Sequence, residues 1–235
     1  MARSPHPSDP APQIRNPLDP RNPLAGVYLA TVLFELAEAG LRFLVPLNLN
    51  DRGLGPEAIG IVIAVFSFAS LLSRGVAAAL FRPERARWLI LTAGLASTFA
   101  YLLTPFVTSL PAFAVLMAFD GFGWGVATTC LLAVMMVSTP LSMSPAVAMG
   151  WLVGFQGVAM ALATTIGGLL ADRFGIQDGM LILATVPVLA AALIGFRLPK
   201  PRSHSASSRE VTSRAVAVIS HVSPSLKVTW KTPAI

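Results

Sequence analysis

Apolar residues gather into six long runs separated by short polar links. The runs are Leu24–Asn48, Ala58–Phe81, Trp88–Val107, Ala112–Ser138, Ala146–Ala171 and Met180–Phe196. About 20 mostly apolar residues are enough for a helix to cross the hydrocarbon core of a bilayer, so each run is predicted to be a span. Pro105 near the end of the third run and Pro187 inside the sixth fit this reading, because neighbouring helices in a membrane satisfy the backbone groups a proline frees. Between the runs lie an Asp51-Arg52-Gly53 turn, the charged link Arg82–Arg87, a tight link Thr108–Pro111, an uncharged link Thr139–Pro145 and a short polar link Asp172–Gly179. The pattern predicts an all-α, polytopic bundle over residues 23–199. Residues 1–22, with a proline every few positions and no period, are predicted to be disordered. Residues 200–235 are serine-rich and basic, and their apolar stretch Ala215–Ile219 is too short to span; they read as a second disordered segment.

Composition agrees. The chain is 54% hydrophobic and 12% charged, with a mean hydropathy of +0.70, where soluble domains carry about 25% charged residues. The net charge of +6 is no nucleic-acid footprint, since the basic residues sit in links and tails without interleaved aromatics. Their distribution sets the orientation instead. Arg3, Arg15, Arg21, Arg82, Arg85, Arg87 and the tail from Arg197 onward fall on one side, and only Arg52 and Arg173 on the other. Both termini are therefore expected in the cytoplasm. The first run is too long for a signal-peptide core and is expected to stay in the membrane.

The first run also carries charges that lipid does not tolerate. On a helix, Glu35 and Arg42 fall within roughly 20° of each other and Glu38 about 60° away. Tyr28 and Thr31 continue the stripe. Such a face must look into protein or a water-filled cavity. Asp120, in the fourth run, lies about 12 Å from the outer end of its span, Glu38 about 15 Å and Arg42 about 9 Å from the outer end of theirs, at 1.5 Å per residue. The acids are thus expected in one layer, with Arg42 pairing either Glu38, four residues away, or Asp120. Either the charges neutralise one another as a static bridge or they serve a solute or proton path. Glu35 has no close partner in its own helix and is the best candidate to carry a proton. Trp124 is read as packing or as a platform for a solute, and Gln156 as a cavity donor or an interhelical tie. Thr31 is read as bonded back to its own helix, Tyr28 as an anchor near the inner end, and Cys130 as packing.

Other chemistry finds no constellation. The three histidines, His6, His204 and His221, all lie in the terminal segments, and there is no Walker-type loop. No enzyme activity, cofactor or metal is expected.

The link between the second and third runs reads Ala78-Ala-Leu-Phe-Arg82-Pro-Glu-Arg85-Ala-Arg87. It resembles the signature of the major facilitator superfamily, Gly-x-x-x-Asp-(Arg/Lys)-x-Gly followed by basic residues. The basic cluster is kept, while Ala78, Arg82 and Arg85 stand where the family has glycine, aspartate and glycine. An intact copy of the pattern occurs as Gly168-Leu-Leu-Ala-Asp172-Arg173-Phe-Gly175 at the end of the fifth run. Residues 44–80 also resemble the first-to-second helix region of many bacterial members. Two further likenesses are partial. The Gly-Gly pair of proton antiporters is present as Gly167-Gly168 without the preceding Gly-Pro, and the Glu-x-x-Glu-Arg of peptide carriers is present as Glu35-x-x-Glu38 with Ala39 in place of arginine.

The resemblance covers Leu24 to about Pro199. It implies six transmembrane helices built as two inverted three-helix repeats, that is, an N-terminal half of a major facilitator transporter in the inner membrane. It further implies secondary transport of a small solute by alternating access, with proton coupling expected from the intramembrane acids. Glu35, Glu38, Arg42, Asp120, Trp124 and Gln156 would line the path. Arg74, Arg82, Arg85, Gly168, Asp172, Arg173 and Gly175 would belong to gates and loop motifs. Family members place solute between two halves, so a second six-helix half, from another copy or another chain, is an expected partner. The rival expectation is a truncated or degenerate membrane protein that transports nothing, or an interaction subunit.

Overall fold

The computed structural model describes residues 18, 22, 24–140 and 143–197, with side chains as far as 193. The segments 1–22, apart from Leu18 and Asn22, and 200–235, both expected to be disordered, lie outside the described residues. Among the described residues every regular element is helical. These are α1 (Ala25–Asp51), α2 (Pro56–Leu80), α3 (Ala86–Leu103), α4 (Leu110–Ser138), α5 (Pro145–Phe174), α6 (Ile176–Ala184) and α7 (Val186–Arg197), with a 3-10 turn, Thr104–Phe106, after α3.

Local chemistry sets several of the ends. Pro56, Pro111 and Pro145 lie in the first turns of α2, α4 and α5, where a missing N–H costs nothing and the fixed φ suits the helix. Ser144 caps α5, its hydroxyl accepting from the Val147 amide at 3.2 Å. Pro105 tightens the end of the third run, so the α-helix stops at Leu103, short of the Val107 expected from hydropathy. The expected polar link Asp172–Gly179 is corrected. Only Gly175, at φ +86°, breaks the chain there, and helix resumes at Ile176. Asp172, Arg173 and Asp178 are polar because they are exposed at helix ends, not because the backbone leaves helical geometry. The sixth run is divided at Thr185, just ahead of Pro187.

Five helical stretches are long and apolar enough to cross a membrane: Pro56–Leu80, Ala86–Phe106, Leu110–Ser138, Pro145–Phe174 and Ile176–Leu193. Length and apolarity therefore support five spans rather than the expected six. α1 has 27 residues, about 40 Å at 1.5 Å per residue, but Glu35, Glu38 and Arg42 set it apart from the other five.

α4 is wedged between α2 and α3, and its glycine run explains how. A Cβ on Gly121 would come 2.3 Å from the Phe66 carbonyl oxygen, and one on Gly125 would come 2.0 Å from Ser73 Oγ, both on α2. A Cβ on Gly123, turned the other way, would come 2.8 Å from the Ala93 carbonyl oxygen on α3. Small residues at four-residue spacing let membrane helices approach this closely. α1 packs chiefly along α5 and against α6 and α7, with only slight contact to α2.

The buried apolar side chains form two clusters. One gathers Leu24, Phe34, Ile90, Cys130, Met135 and Leu152, and the other Leu41, Leu44, Phe66, Phe113, Met180 and Leu183. On α1 the first cluster ends at Phe34 and the second begins at Leu41. Glu35 and Glu38 occupy the seam between them.

Candidate functional site

The seam is filled from five helices, α1 to α5. Glu38 is buried at 5% exposure. Arg42, one turn further along α1, donates from Nη2 to Glu38 Oε1 at 2.9 Å. The hydroxyl of Tyr101 on α3 donates to the other oxygen of the same carboxylate. Of the two partners expected for Arg42, the structure selects Glu38. Asp120 on α4 is buried at 1%. It lines the same cavity as Glu38, Arg42 and Tyr101, about 350 Å³ in volume. Its Oδ1 has no hydrogen-bond partner, and Ser97 Oγ donates to its backbone carbonyl at 3.5 Å. Tyr101 lines this cavity with both acids, and its hydroxyl goes to Glu38.

Trp124, one turn from Asp120, divides the space. Its ring faces Phe66 at 6.0 Å between centroids, tilted by 45°. The Arg42 guanidinium lies 5.0 Å from the Phe66 ring and 5.6 Å from the Trp124 ring, and that of Arg74 lies 5.2 Å from Trp124. Guanidinium groups at such distances are attracted by the negative face of an aromatic ring. Beyond this wall is a second cavity of about 400 Å³, lined by Glu35, Gln156, Thr31, Thr128 and Met160 among others. Arg42, Arg74 and Trp124 line both cavities.

Glu35 finds its partner on another helix. Gln156 Nε2 on α5 donates to Glu35 Oε1 at 3.1 Å, so Gln156 ties α5 to the charged face of α1. Thr31 bonds back to the Val27 carbonyl at 2.9 Å. Tyr28 is fully buried, donates to the Ala148 carbonyl at 3.3 Å and packs on Phe155. It therefore fastens α1 to α5 rather than anchoring at a lipid interface.

The motif residues lie away from this cluster, except Arg74. Arg82 and Arg85 are exposed in the turn between α2 and α3. Gly168, Asp172 and Arg173 lie on α5, and Gly175 is its positive-φ terminus. Among the described residues the Glu38–Arg42 contact is the one ion pair, so Asp172 and Arg173 take part in none.

Sequence reasoning did not single out Tyr101, Phe66 or Ser97. Tyr101 left a signal, since only two tyrosines occur in the chain and this one sits within an otherwise apolar run. Arg52 was read only as a topological marker. Its Nε donates to Asn48 Oδ1 at 3.0 Å and its terminal nitrogens to the carbonyls of Pro105 and Val107, which fastens the end of α1 to the turn after α3.

A family model described as Major Facilitator Superfamily matches residues 27–235. No curated protein matches the chain.

Proposed function

The chain belongs to the Major Facilitator Superfamily of membrane transporters, and from that premise we propose that it carries a small solute across the plasma membrane by alternating access, coupled to protons. Buried ionisable side chains between apolar clusters carry this reading. Charge is expensive in a span and is kept there for a path, a relay or a counter-ion. Glu35, Glu38, Arg42, Asp120, Trp124 and Gln156 form the path in this proposal. Glu35, whose recorded partner is the neutral Gln156 amide, takes and returns the proton. α1 serves as a sixth span, its charged face turned to the cavities and its remaining faces to α5, α6 and α7. The six spans form two inverted repeats with both termini in the cytoplasm, and the path works without an enzymatic step. The gates are assigned to Arg74, Arg82 and Arg85 on the inner side and to Gly168, Asp172, Arg173 and Gly175 on the outer side.

Leu71 and Val153, 68% and 58% exposed, line the two cavities. Each cavity is thus open on one side, and a second six-helix half is proposed to cover it. The test uses proteoliposomes with an imposed pH gradient and a trapped pH-sensitive dye, challenged in turn with sugars, amino acids, organic cations and organic anions. One solute class is expected to move protons with the wild-type chain and to fail with Glu35→Gln. Equal proton flow in that variant would remove Glu35 from the role, and no solute-dependent proton movement would overturn the coupling.

A further inference from the structure

The charges inside the spans are sorted by exposure. Glu35, Glu38 and Asp120 are 6%, 5% and 1% exposed, whereas Arg74 is exposed and the Arg42 side chain is 44% exposed. Acids outnumber bases in the cluster, yet the acids lie within the walls and the bases lie on them. A solute entering either cavity meets positive charge first.

Of the two bases, Arg42 is already engaged, since Glu38 takes one of its N–H groups. Arg74 makes no ion pair or hydrogen bond among the described residues. Its contact is the Trp124 ring, and it lines the second cavity together with Glu35. A guanidinium resting on an indole keeps its N–H fork free at the ring edge, and that fork matches the two oxygens of a carboxylate. Beside it, Phe66, Trp124, Ile63, Leu71 and Met117 give the first cavity mainly apolar walls.

We propose that the solute is a monovalent organic anion with a flat apolar body, its carboxylate on Arg74 and its body against Trp124 and Phe66. This rests on the proton-coupled reading above and deepens it. Arg74 shares the second cavity with Glu35 and Arg42 and the first with Glu38, Arg42 and Asp120, and of the three acids Glu35 is the one facing it in the second cavity. A proton on Glu35 cancels that counter-charge and leaves Arg74 to the anion. Proton and anion therefore move in the same direction, and the loaded site carries no added net charge.

The probe is radiolabelled benzoate bound to the purified, reconstituted full chain, with benzylamine and benzyl alcohol as a cation and a neutral molecule of similar shape. Saturable benzoate binding is expected, displaced by unlabelled benzoate but not by benzylamine. Arg74→Gln should weaken it about tenfold or more, the loss of one charge-assisted bond. Arg74→Lys, which keeps the charge without the fork, should fall between, and it serves as the readout where Arg74→Gln does not fold. Arg87→Gln, on the exposed start of α3, should leave binding unchanged. Preference for benzylamine, absence of saturable benzoate binding, or wild-type benzoate affinity in both Arg74 variants would overturn the anion site while leaving proton-coupled transport of another solute standing. Benzoate binding with no benzoate-driven proton flow would instead keep the anion site and overturn the coupling.

Discussion

The phenol of Tyr101 donates to the carboxylate of Glu38, so a side chain of α3 reaches the charged face of α1 at the depth where Arg42 binds the other oxygen. Neither Tyr101 nor Glu38 exceeds 5% exposure. Interhelical hydrogen bonds in membrane proteins contribute about 0.6 kcal/mol on average and up to about 1.7. A buried acceptor that Arg42 also engages places this one in the upper part of that range. Tyr101→Phe removes the hydroxyl and keeps the ring, so it should lower stability by about 1–2 kcal/mol. Thermal unfolding of the solubilised protein, followed by the reactivity of the buried Cys130, measures it. An unshifted transition would show that the bond contributes nothing net.

Glu38 and Arg42 should be strongly non-additive. Glu38 is buried while Arg42 is half exposed, so removing the cation strands an acid that water does not reach. For fully buried pairs that loss is about 3–5 kcal/mol, and the exposure of Arg42 puts Arg42→Gln below it. Glu38→Gln leaves the arginine free to turn to solvent and should cost less. The double variant should recover part of the Arg42→Gln loss, with a coupling energy of about 0.5–3 kcal/mol. Additive losses in the thermal cycle would show that the 2.9 Å contact is not a working pair.

How much of this arrangement could be read beforehand depended on which helix carried the information. Glu38 and Asp120 were put at one depth because turn residues mark the ends of their two spans and helical rise does the rest. Tyr101 was missed because an aromatic hydroxyl in an apolar run says nothing of the face it takes until α4 is known to lie beside α3. The Gln156–Glu35 bond joins residues 121 apart, and no local pattern pairs α5 with α1. The link expected at Asp172–Gly179 differs from the structure for another reason. At a helix end reaching water, polar side chains and a loop leave the same trace in composition, and only the Gly175 φ separates them.

The glycines of α4 and α5 should respond differently to the same substitution. Gly121→Ala drives a methyl group to 2.3 Å from a backbone carbonyl of α2, and Gly125→Ala meets both Ser73 Oγ and the Ser70 carbonyl at 2.6 Å or less. Backbone cannot step aside as a side chain can, so each should lose about 1–3 kcal/mol and open the α2–α4 contact beside the Phe66–Trp124 wall. Gly154→Ala and Gly157→Ala meet nothing within 4 Å and should be neutral or slightly stabilising, since alanine is the better helix former by about 1 kcal/mol. Comparing the melting temperatures of the four variants decides the matter. Equal behaviour of the two pairs would mean that α2 and α4 are not packed as closely as described.

Whether α1 crosses the bilayer is the point on which apolarity alone does not decide, and chemical labelling can. The single native cysteine, Cys130, is fully buried and gives little background with a membrane-impermeant maleimide. Leu18, Asp51, Glu84 and Asp178 are all exposed, and each is replaced by cysteine in turn. α2 alone separates Asp51 from Glu84, and α3, α4 and α5 separate Glu84 from Asp178. Asp51→Cys and Asp178→Cys should therefore react on intact cells, and Glu84→Cys only after permeabilisation. α1 separates Leu18 from Asp51. If its charged face is sheltered by α3 and α5 as the Tyr101 and Gln156 bonds indicate, its other faces are apolar enough to cross, and Leu18→Cys should behave like Glu84→Cys. Labelling of Leu18→Cys on intact cells, together with Asp51→Cys, would place both ends of α1 outside and leave five spans.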